Sequence, residues 1–519
     1  MDFYFTAITE SLKMCWDPML LFLIFLAVMW GNIGGALPGV GPSLTLAVLL
    51  PFTWPMSATQ AVACLIAANC ACSYGNSIPA ILIGVPGTAS AVLTAVDGYE
   101  LHKQGKSGLA LGVQFYAAVM GQFISTFFFF AMVVPLAQLT YVLLSPEMFA
   151  LYFLGISAVI SITGDNIVKG LMAAAFGFAV SLVGRDPVSA VLRFPYFAEA
   201  ARGGFEATPV IIGLLAVSEL FRQMRQSFKW GGGGQKITAK FPPWKTLLGM
   251  TPKVLMGTCI GMIVGCIPGL GGPSAAFISY TQAKLWSKNP ELFGHGAIDG
   301  IAANEASQNA SQSAEMVPTF GLGIPGSSTM VLLFAAILMH GFIPGPMLIT
   351  QSPEMLYAAG AGLFATTAML ALMGWPLCMI LYKIVTIDRT AIIVGALALC
   401  MLGVWTINNS SFDVLVMLAF GVIGYFMMRY GYSVAAAAIT VILGRGFEAY
   451  LRRGLIITQG SLWGFVSRPW TAVILVFCMA LLTYGTIGTI RMARKASEIK
   501  KQAIAKHLAS ASVSDKPGS

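Results

Sequence analysis

Ile78-Pro79-Ala80-Ile81-Leu82-Ile83-Gly84-Val85-Pro86-Gly87 returns in the second half of the chain as Val317-Pro318-Thr319-Phe320-Gly321-Leu322-Gly323-Ile324-Pro325-Gly326. A second pair precedes it: Gly35-Ala36-Leu37-Pro38-Gly39-Val40-Gly41-Pro42-Ser43 is matched by Gly265-Cys266-Ile267-Pro268-Gly269-Leu270-Gly271-Gly272-Pro273-Ser274, with one inserted glycine. All four phrases lie in strongly apolar sequence. Proline removes a helical hydrogen bond and clashes with the preceding turn, and glycine admits backbone conformations that other residues resist. Pro38, Pro86, Pro268 and Pro325 therefore read as helix breaks. In lipid, freed backbone groups must be satisfied by protein, water or ligand. Interrupted apolar segments at matching places in two halves point to the binding site of a secondary transporter.

Composition supports that class. Of 519 residues, 57% are hydrophobic and 10% charged, against about 25% charged in soluble domains. A spanning helix needs about 20 mostly apolar residues, and the apolar runs allow roughly 12 spans. The runs are too long for the alternating strands of a barrel, so the expected fold is an all-α polytopic membrane protein. The N-terminus lacks the basic region and small-residue cleavage site of a signal peptide. The nine cysteines sit in apolar stretches. Cys70 and Cys72 have no partner ligands for zinc, and His295 and His340 have no clustered partners.

Net charge is +9, and the excess is local. Seven Lys/Arg and no acid fall between Arg222 and Lys253, and six Lys/Arg with one Glu between Arg491 and Lys506. No aromatic or motif context suits nucleic acid, and the positive-inside rule places both clusters in the cytoplasm. This divides the chain into a periplasmic N-terminal segment (1–17), a first repeat (18–226), a basic cytoplasmic linker (227–252), a second repeat (253–450), a connecting loop with a final transmembrane helix (451–490) and a cytoplasmic tail (491–519). An N-terminus outside and a linker inside require an odd number of crossings in each half. The two halves then form inverted repeats with discontinuous helices or re-entrant hairpins.

Polar side chains gather at the breaks. Helix N-termini hold carboxylates, and carbonyls at helix C-termini hold cations; hydroxyls and amides serve either ligand. The candidate substrate-binding residues are Asn76, Ser77, Thr88, Ser90, Asn309, Ser311, Ser327, Ser328 and Thr329. The candidate cation-binding positions are Gly39, Gly41, Ser43, Gly84, Gly87, Gly269, Gly271, Ser274, Glu305, Gly323 and Gly326. Glu305 and Glu315 are the intramembrane acids nearest the site, able to ligate a cation or carry a proton. Asp165, Asp413 and Glu448 are expected at helix ends. No Lys or Arg lies within either break region. Gly105-Lys106-Ser107 resembles the end of a P-loop, but Glu100 stands where that motif needs glycine. The energy source is thus expected to be an ion gradient, and no catalytic residue or organic cofactor is assigned. Two other classes compete: an ion channel, which needs a continuous polar pore, and a membrane-embedded Na⁺-pumping decarboxylase subunit, for which no biotin or metal motif occurs.

Over nearly its whole length the chain resembles the large membrane subunit of the tripartite tricarboxylate transporters, the TctA type. The resemblance rests on Gly35–Ser43, Tyr74–Gly87, Asp97-Gly98-Tyr99-Glu100-Leu101 with Gly105-Lys106-Ser107-Gly108, Asn304–Gly326 and His340-Gly341-Phe342-Ile343-Pro344-Gly345-Pro346. It implies a multi-pass permease of the bacterial inner membrane that imports di- or tricarboxylates, usually with Na⁺. It also implies a small four-helix membrane subunit (TctB type), a periplasmic solute-binding protein (TctC type) and an elevator motion. A proton-coupled carrier is the variant reading. The chain departs from the family pattern at Asn76, Asn304 and Gln308, of which Asn76 and Gln308 add amides at the suspected site.

Overall fold

The computed structural model describes residues 2–37, 40–140, 143–162, 167–186, 189, 191–194, 203–225, 240–384, 389–483 and 485–486. The break residues Pro38 and Gly39, the acid Asp165, the first half of the basic linker (227–239) and the basic tail fall outside them.

The first half runs α1 (Asp2–Met14), α2 (Pro18–Ala36), α3 (Gly41–Leu49), α4 (Ala58–Gly75), α5 (Ser77–Ile83), α6 (Val92–Lys103), α7 (Ser107–Thr140), α8 (Ser145–Ile162) and α9 (Ile167–Ser181). A short antiparallel pair follows, β1 (Gly184–Arg185) with β2 (Leu192–Arg193), Gly184 facing Arg193. Then α10 (Ala207–Ile212) and α11 (Ser218–Met224) make one helix with a π turn at Gly213–Val217. The second half runs α12 (Trp244–Gly249), α13 (Thr251–Gly265), α14 (Gly271–Leu285), α15 (Ile298–Leu322), α16 (Ser328–Met339), α17 (Pro346–Gln351), α18 (Pro353–Ile384), α19 (Arg389–Asn408), α20 (Ser411–Arg429), α21 (Val434–Ile457) and α22 (Leu462–Val466).

Among the described residues, seven helices are long and apolar enough to cross a membrane, including Ala58–Ile83, which joins α4 to α5. Seven more apolar helices are shorter, including those at Gly41–Thr53, Thr251–Gly265 and Ser328–Met339. The short ones include the helices flanking the Pro-Gly phrases, as helix-breaking residues require. The chain is thus a helical, multi-pass membrane protein. Where a final span is expected, an apolar helix runs over Pro469–Thr483, shorter than the seven long enough to cross. The N-terminal segment is a helix: α1 packs on α18, burying Ala7 and Ser11 fully.

Local signals set the helix ends. Ser57 and Gln60 form a reciprocal capping box at the start of α4, which satisfies two otherwise orphaned amides. Asp17 caps α2 by accepting from Met19 N, with Pro18 in the first turn. Gly84 and Gly323 end α5 and α15 in the left-handed conformation, at φ +69° and +71°, where a Cβ would be strained. Pro79 and Pro318 remain inside helices, whereas Pro86 and Pro325 lie in the extended straps that follow these caps.

Two groups of helices pack separately. In one, α15 is the axis, wrapped by α7, α13, α14 and α6, while α4 packs on α2 and α18. In the other, α21 packs on α8 and α9, and α20 on the π turn of the α10–α11 helix. The groups meet chiefly through α3 and α16, which touch both. Every residue of α15 from Gly300 to Gly321 is buried. Close approach depends on glycine: a Cβ on Gly31 would lie 2.3 Å from Ala68 O, and one on Gly261 2.3 Å from Ser307 O.

Glu448, expected at a helix end, instead lies inside α21. There Arg193 Nη1 donates to its Oε2 at 2.8 Å, and Arg452 reaches both Glu448 and Asp186. This cluster pins the β1–β2 turn to α21. Asp413 does lie in the first turn of α20, accepting from Asn408 Nδ2 at 2.9 Å.

Candidate functional site

The two halves share geometry at a constant spacing of 239 residues, as Gly84 to Gly323. After the first cap, Thr88 is extended (φ −142°, ψ 167°) and its hydroxyl lies 2.8 Å from Ser90 Oγ. After the second, Ser327 is extended (φ −155°, ψ 175°) and its hydroxyl lies 2.9 Å from Thr329 Oγ1. Between α4 and α15, Asn69 Nδ2 donates to Gln312 Oε1 at 2.7 Å, and Gln308 Nε2 donates to Ser73 O at 2.6 Å. The same spacing relates Asn69 to Gln308 and Ser73 to Gln312, so these two bonds occupy equivalent places in the two halves.

A cavity of about 330 Å³ opens at this junction, lined by Pro42, Ser43, Ser73, Thr88, Ser90, Gly269–Ser274, Gln312, Glu315 and Ser327–Thr329, with Val159, Ala435 and Ile439 on the far side. Its size is at the lower end of small-molecule pockets, about 300–1,000 Å³. The first turns of α3, α14 and α16 all contribute to the lining. Ser43 Oγ and Ser328 Oγ, 3.0 Å apart, join the tips of α3 and α16. Gly269 N donates to Gly326 O at 2.8 Å, tying the α14 tip to the strap before α16. Glu315 Oε1 accepts from Gly272 N at 3.0 Å, so one carboxylate already sits at the start of α14. Among the described residues, no Lys, Arg or His lines the cavity. From the second helix group the described lining residues are the apolar Val159, Ala435 and Ile439.

The sequence candidates divide. Thr88, Ser90, Ser327, Ser328, Thr329, Ser43, Gly269, Gly271 and Ser274 line the cavity. Gly41 and Gly271 take left-handed conformations where α3 and α14 begin, at φ +63° and +59°. Asn76, Ser77, Asn309, Ser311 and Glu305 are buried outside it. Asn309 Nδ2 donates to Glu305 O and Ser311 Oγ to Gln308 O, both within α15. Gly87 and Gly326 serve close approach: their Cβ atoms would lie 2.8 Å from Gly35 O and 2.6 Å from Glu315 O. Gly84 and Gly323 are helix caps packed against the Tyr99 ring and Pro344 O. Gly39 lies outside the described residues.

Ser73 and Gln312 join the lining without having been singled out as ligands, and Glu315, marked in the sequence as an acid able to ligate a cation or carry a proton, lines it as well. The signal was present: Ser73 and Gln312 keep the 239-residue spacing of the Pro-Gly phrases, and Gln308, Gln312 and Glu315 share one helical face.

Asn76, Ser77 and Glu305 belong to a second polar cluster. Glu305 Oε1 accepts from Ser77 Oγ at 2.7 Å and from Thr94 Oγ1. Asn304 Nδ2 donates to Thr94 Oγ1 at 2.6 Å and to Ser90 O at 3.2 Å. Gln308 Nε2 also reaches Asn76 Oδ1 at 3.1 Å. Nearby, Asp97 fastens the halves together: its Oδ1 accepts from the amides of Gly294, Gly296 and Ala297 at 2.8–3.0 Å, and its Oδ2 from Tyr280 OH at 2.8 Å. Among the described residues no group of three or more His, Cys, Asp or Glu could hold a metal ion.

Broken helices meeting around a polar cavity inside a multi-pass helical protein define a membrane transport protein. Comparison with known proteins gives the same class and names it. The sequence matches the Tripartite tricarboxylate transporter TctA family over residues 21–439, and the chain belongs to that family. It is 30% identical over 477 residues to an "Uncharacterized 52.8 kDa protein in TAR-I ttuC' 3'region" of Agrobacterium vitis, covering 92% of this chain and 95% of that relative. An "Uncharacterized protein in TAR-II ttuC' 3'region" of the same organism is 33% identical over 234 residues, 45% of this chain and 97% of the relative. No solved structure matches.

Proposed function

We propose that this permease imports a di- or tricarboxylate across the bacterial inner membrane, coupled to a cation gradient, with Na⁺ as the coupling ion. The observation that carries the reading is the convergence of three helix N-termini on a cavity without a basic side chain. Each terminus carries about half a positive charge, so three supply roughly 1.5 charges, and Glu315 offsets much of that. A dicarboxylate bound there leaves negative charge uncompensated in a low-dielectric site. Co-bound cations remove it, which makes carboxylate and cation binding mutually dependent.

The substrate ligands in this reading are Ser43, Thr88, Ser90, Ser274, Gln312 and Ser327–Thr329. The apolar wall of Val159, Ala435 and Ile439 suits an elevator motion of two inverted repeats. The polar set can slide along it without breaking hydrogen bonds. A TctC-type binding protein delivers the substrate, and a TctB-type subunit accompanies the permease in the membrane.

The test is uptake of radiolabelled di- and tricarboxylates into proteoliposomes holding this chain and its small partner. Binding protein and a Na⁺ gradient are each added or omitted. Uptake that needs both supports the proposal. Uptake driven by a proton gradient alone removes Na⁺ as the coupling ion, and no uptake of any carboxylate removes the substrate class.

A further inference from the structure

The Glu305 cluster lies outside the cavity, and three of its oxygens lack partners. Glu305 Oε2, Asn304 Oδ1 and Gln308 Oε1 are buried with no hydrogen bond, although all three residues are 0% exposed. Buried polar atoms are normally satisfied, so three free acceptors on neighbouring positions of one helix need an explanation. The amide orientations are fixed by their other ends. Gln308 Nε2 donates to the Ser73 carbonyl and Asn304 Nδ2 to the Ser90 carbonyl, and a carbonyl can only accept. The free atoms are therefore oxygens.

No described ion pair involves Glu305. An unpaired carboxylate inside a membrane protein is costly and marks function. We infer that Glu305, Asn304 and Gln308 form a binding site for one small dehydrated monovalent cation of the sodium type, separate from the substrate cavity. The inference deepens the proposed cation coupling and rests on it only for its role in transport.

The donor set selects the ligand. All donors are oxygens, which suits hard alkali cations and not thiophilic or imidazole-seeking metals. One carboxylate balances one positive charge; a divalent ion would leave a net charge buried. A proton on Oε2 would engage only one of the other two free oxygens.

The site is wired to the cavity. Ser77 and Thr94 come from α5 and α6, which flank the strap carrying Thr88 and Ser90, while Glu305 comes from α15. Asn304 holds the backbone of Ser90, a cavity residue. A cation here closes the α5–α6 strap onto α15 and fixes the hydroxyls that meet the substrate. By linkage, substrate and cation then raise each other's affinity by the same factor.

The experiment is thermal unfolding of the purified full chain in detergent, without carboxylate. NaCl is titrated against choline chloride at constant ionic strength and pH, with KCl in parallel. The expected result is stabilisation by Na⁺ that saturates and exceeds that by K⁺. Glu305→Gln is expected to abolish it or raise the half-saturating concentration at least tenfold. Ser274→Ala, a change in the substrate cavity, is expected to leave it within twofold. Should Glu305→Gln not be monodisperse, Thr94→Val carries the test, with an expected rise of at least threefold. A wild-type Na⁺ response in the Glu305→Gln or Thr94→Val variant overturns the assignment. So does stabilisation that follows pH and ignores Na⁺, or a response lost in Ser274→Ala and kept in Glu305→Gln. Because no transport is measured, failure here is distinct from failure of the uptake experiment.

Discussion

Gln312→Leu tests the polar seam between the two halves. Asn69 is 1% exposed and its Nδ2 donates to Gln312 Oε1 at 2.7 Å, while its Oδ1 has no partner. Removing Gln312 leaves both ends of a buried amide unpaired, which costs about 1–3 kcal/mol. The reciprocal change is milder. Asn69→Leu frees Gln312 Oε1, but Gln312 lines the cavity, where water can replace the lost donor. Its cost should approach the average interhelical hydrogen bond in membranes, about 0.6 kcal/mol. In the double variant no orphaned amide remains, so its destabilisation should fall short of the sum of the singles by about 1 kcal/mol. The assay is reversible unfolding in mixed SDS micelles followed by tryptophan fluorescence. Equal costs for the two single variants, or additivity within about 0.5 kcal/mol, would refute the reasoning.

Further outcomes follow from the same geometry. Gly261→Ala, whose Cβ would meet Ser307 O at 2.3 Å, should destabilise by about 1–3 kcal/mol through overpacking; Gly395→Ala, with open space around it, should be neutral or slightly stabilising in the same unfolding assay. Asp97→Ala should cost about 1.5–3 kcal/mol and expose the 294–297 turn to proteolysis; an unchanged cleavage pattern would remove the latch role. Thr88→Ala combined with Ser327→Ala should raise the KM for uptake by about tenfold, the equivalent of about 1.4 kcal/mol, whereas Ser311→Ala, whose hydroxyl bonds its own helix, should leave KM unchanged. A KM shift in Ser311→Ala would place that hydroxyl at the substrate.

Membrane class and the places where helices stop were legible without coordinates. These properties are local or compositional. Proline and glycine act on their own turn, so Gly84 and Gly323 could be marked from the sequence and do cap their helices. Hydropathy is a sum along the chain, so the long apolar helices could be expected; their number could not, because short hairpin helices look like parts of spans.

Which polar groups line the cavity was decided only by tertiary packing. From Asn304 to Glu315, α15 carries polar or small residues on every side, so no hydrophobic stripe fixes its rotation. The glycine face of α13 fixes it instead: Gly257, Gly261 and Gly265 press against Ala303, Ser307 and Ser311. The α7 helix takes another side, where Gln122 Nε2 donates to Ser313 Oγ at 2.8 Å. Gln308 and Gln312 are left to face α4, and Glu315 the cavity, while Asn309 and Ser311 bond within their own helix. The sequence alone determined in which segments helices break beside clustered polar side chains. Only the close approach of neighbouring backbones, which depends on residues far apart in the chain, decided that Gln312 and Glu315 meet the cavity and that Glu305 is enclosed behind it.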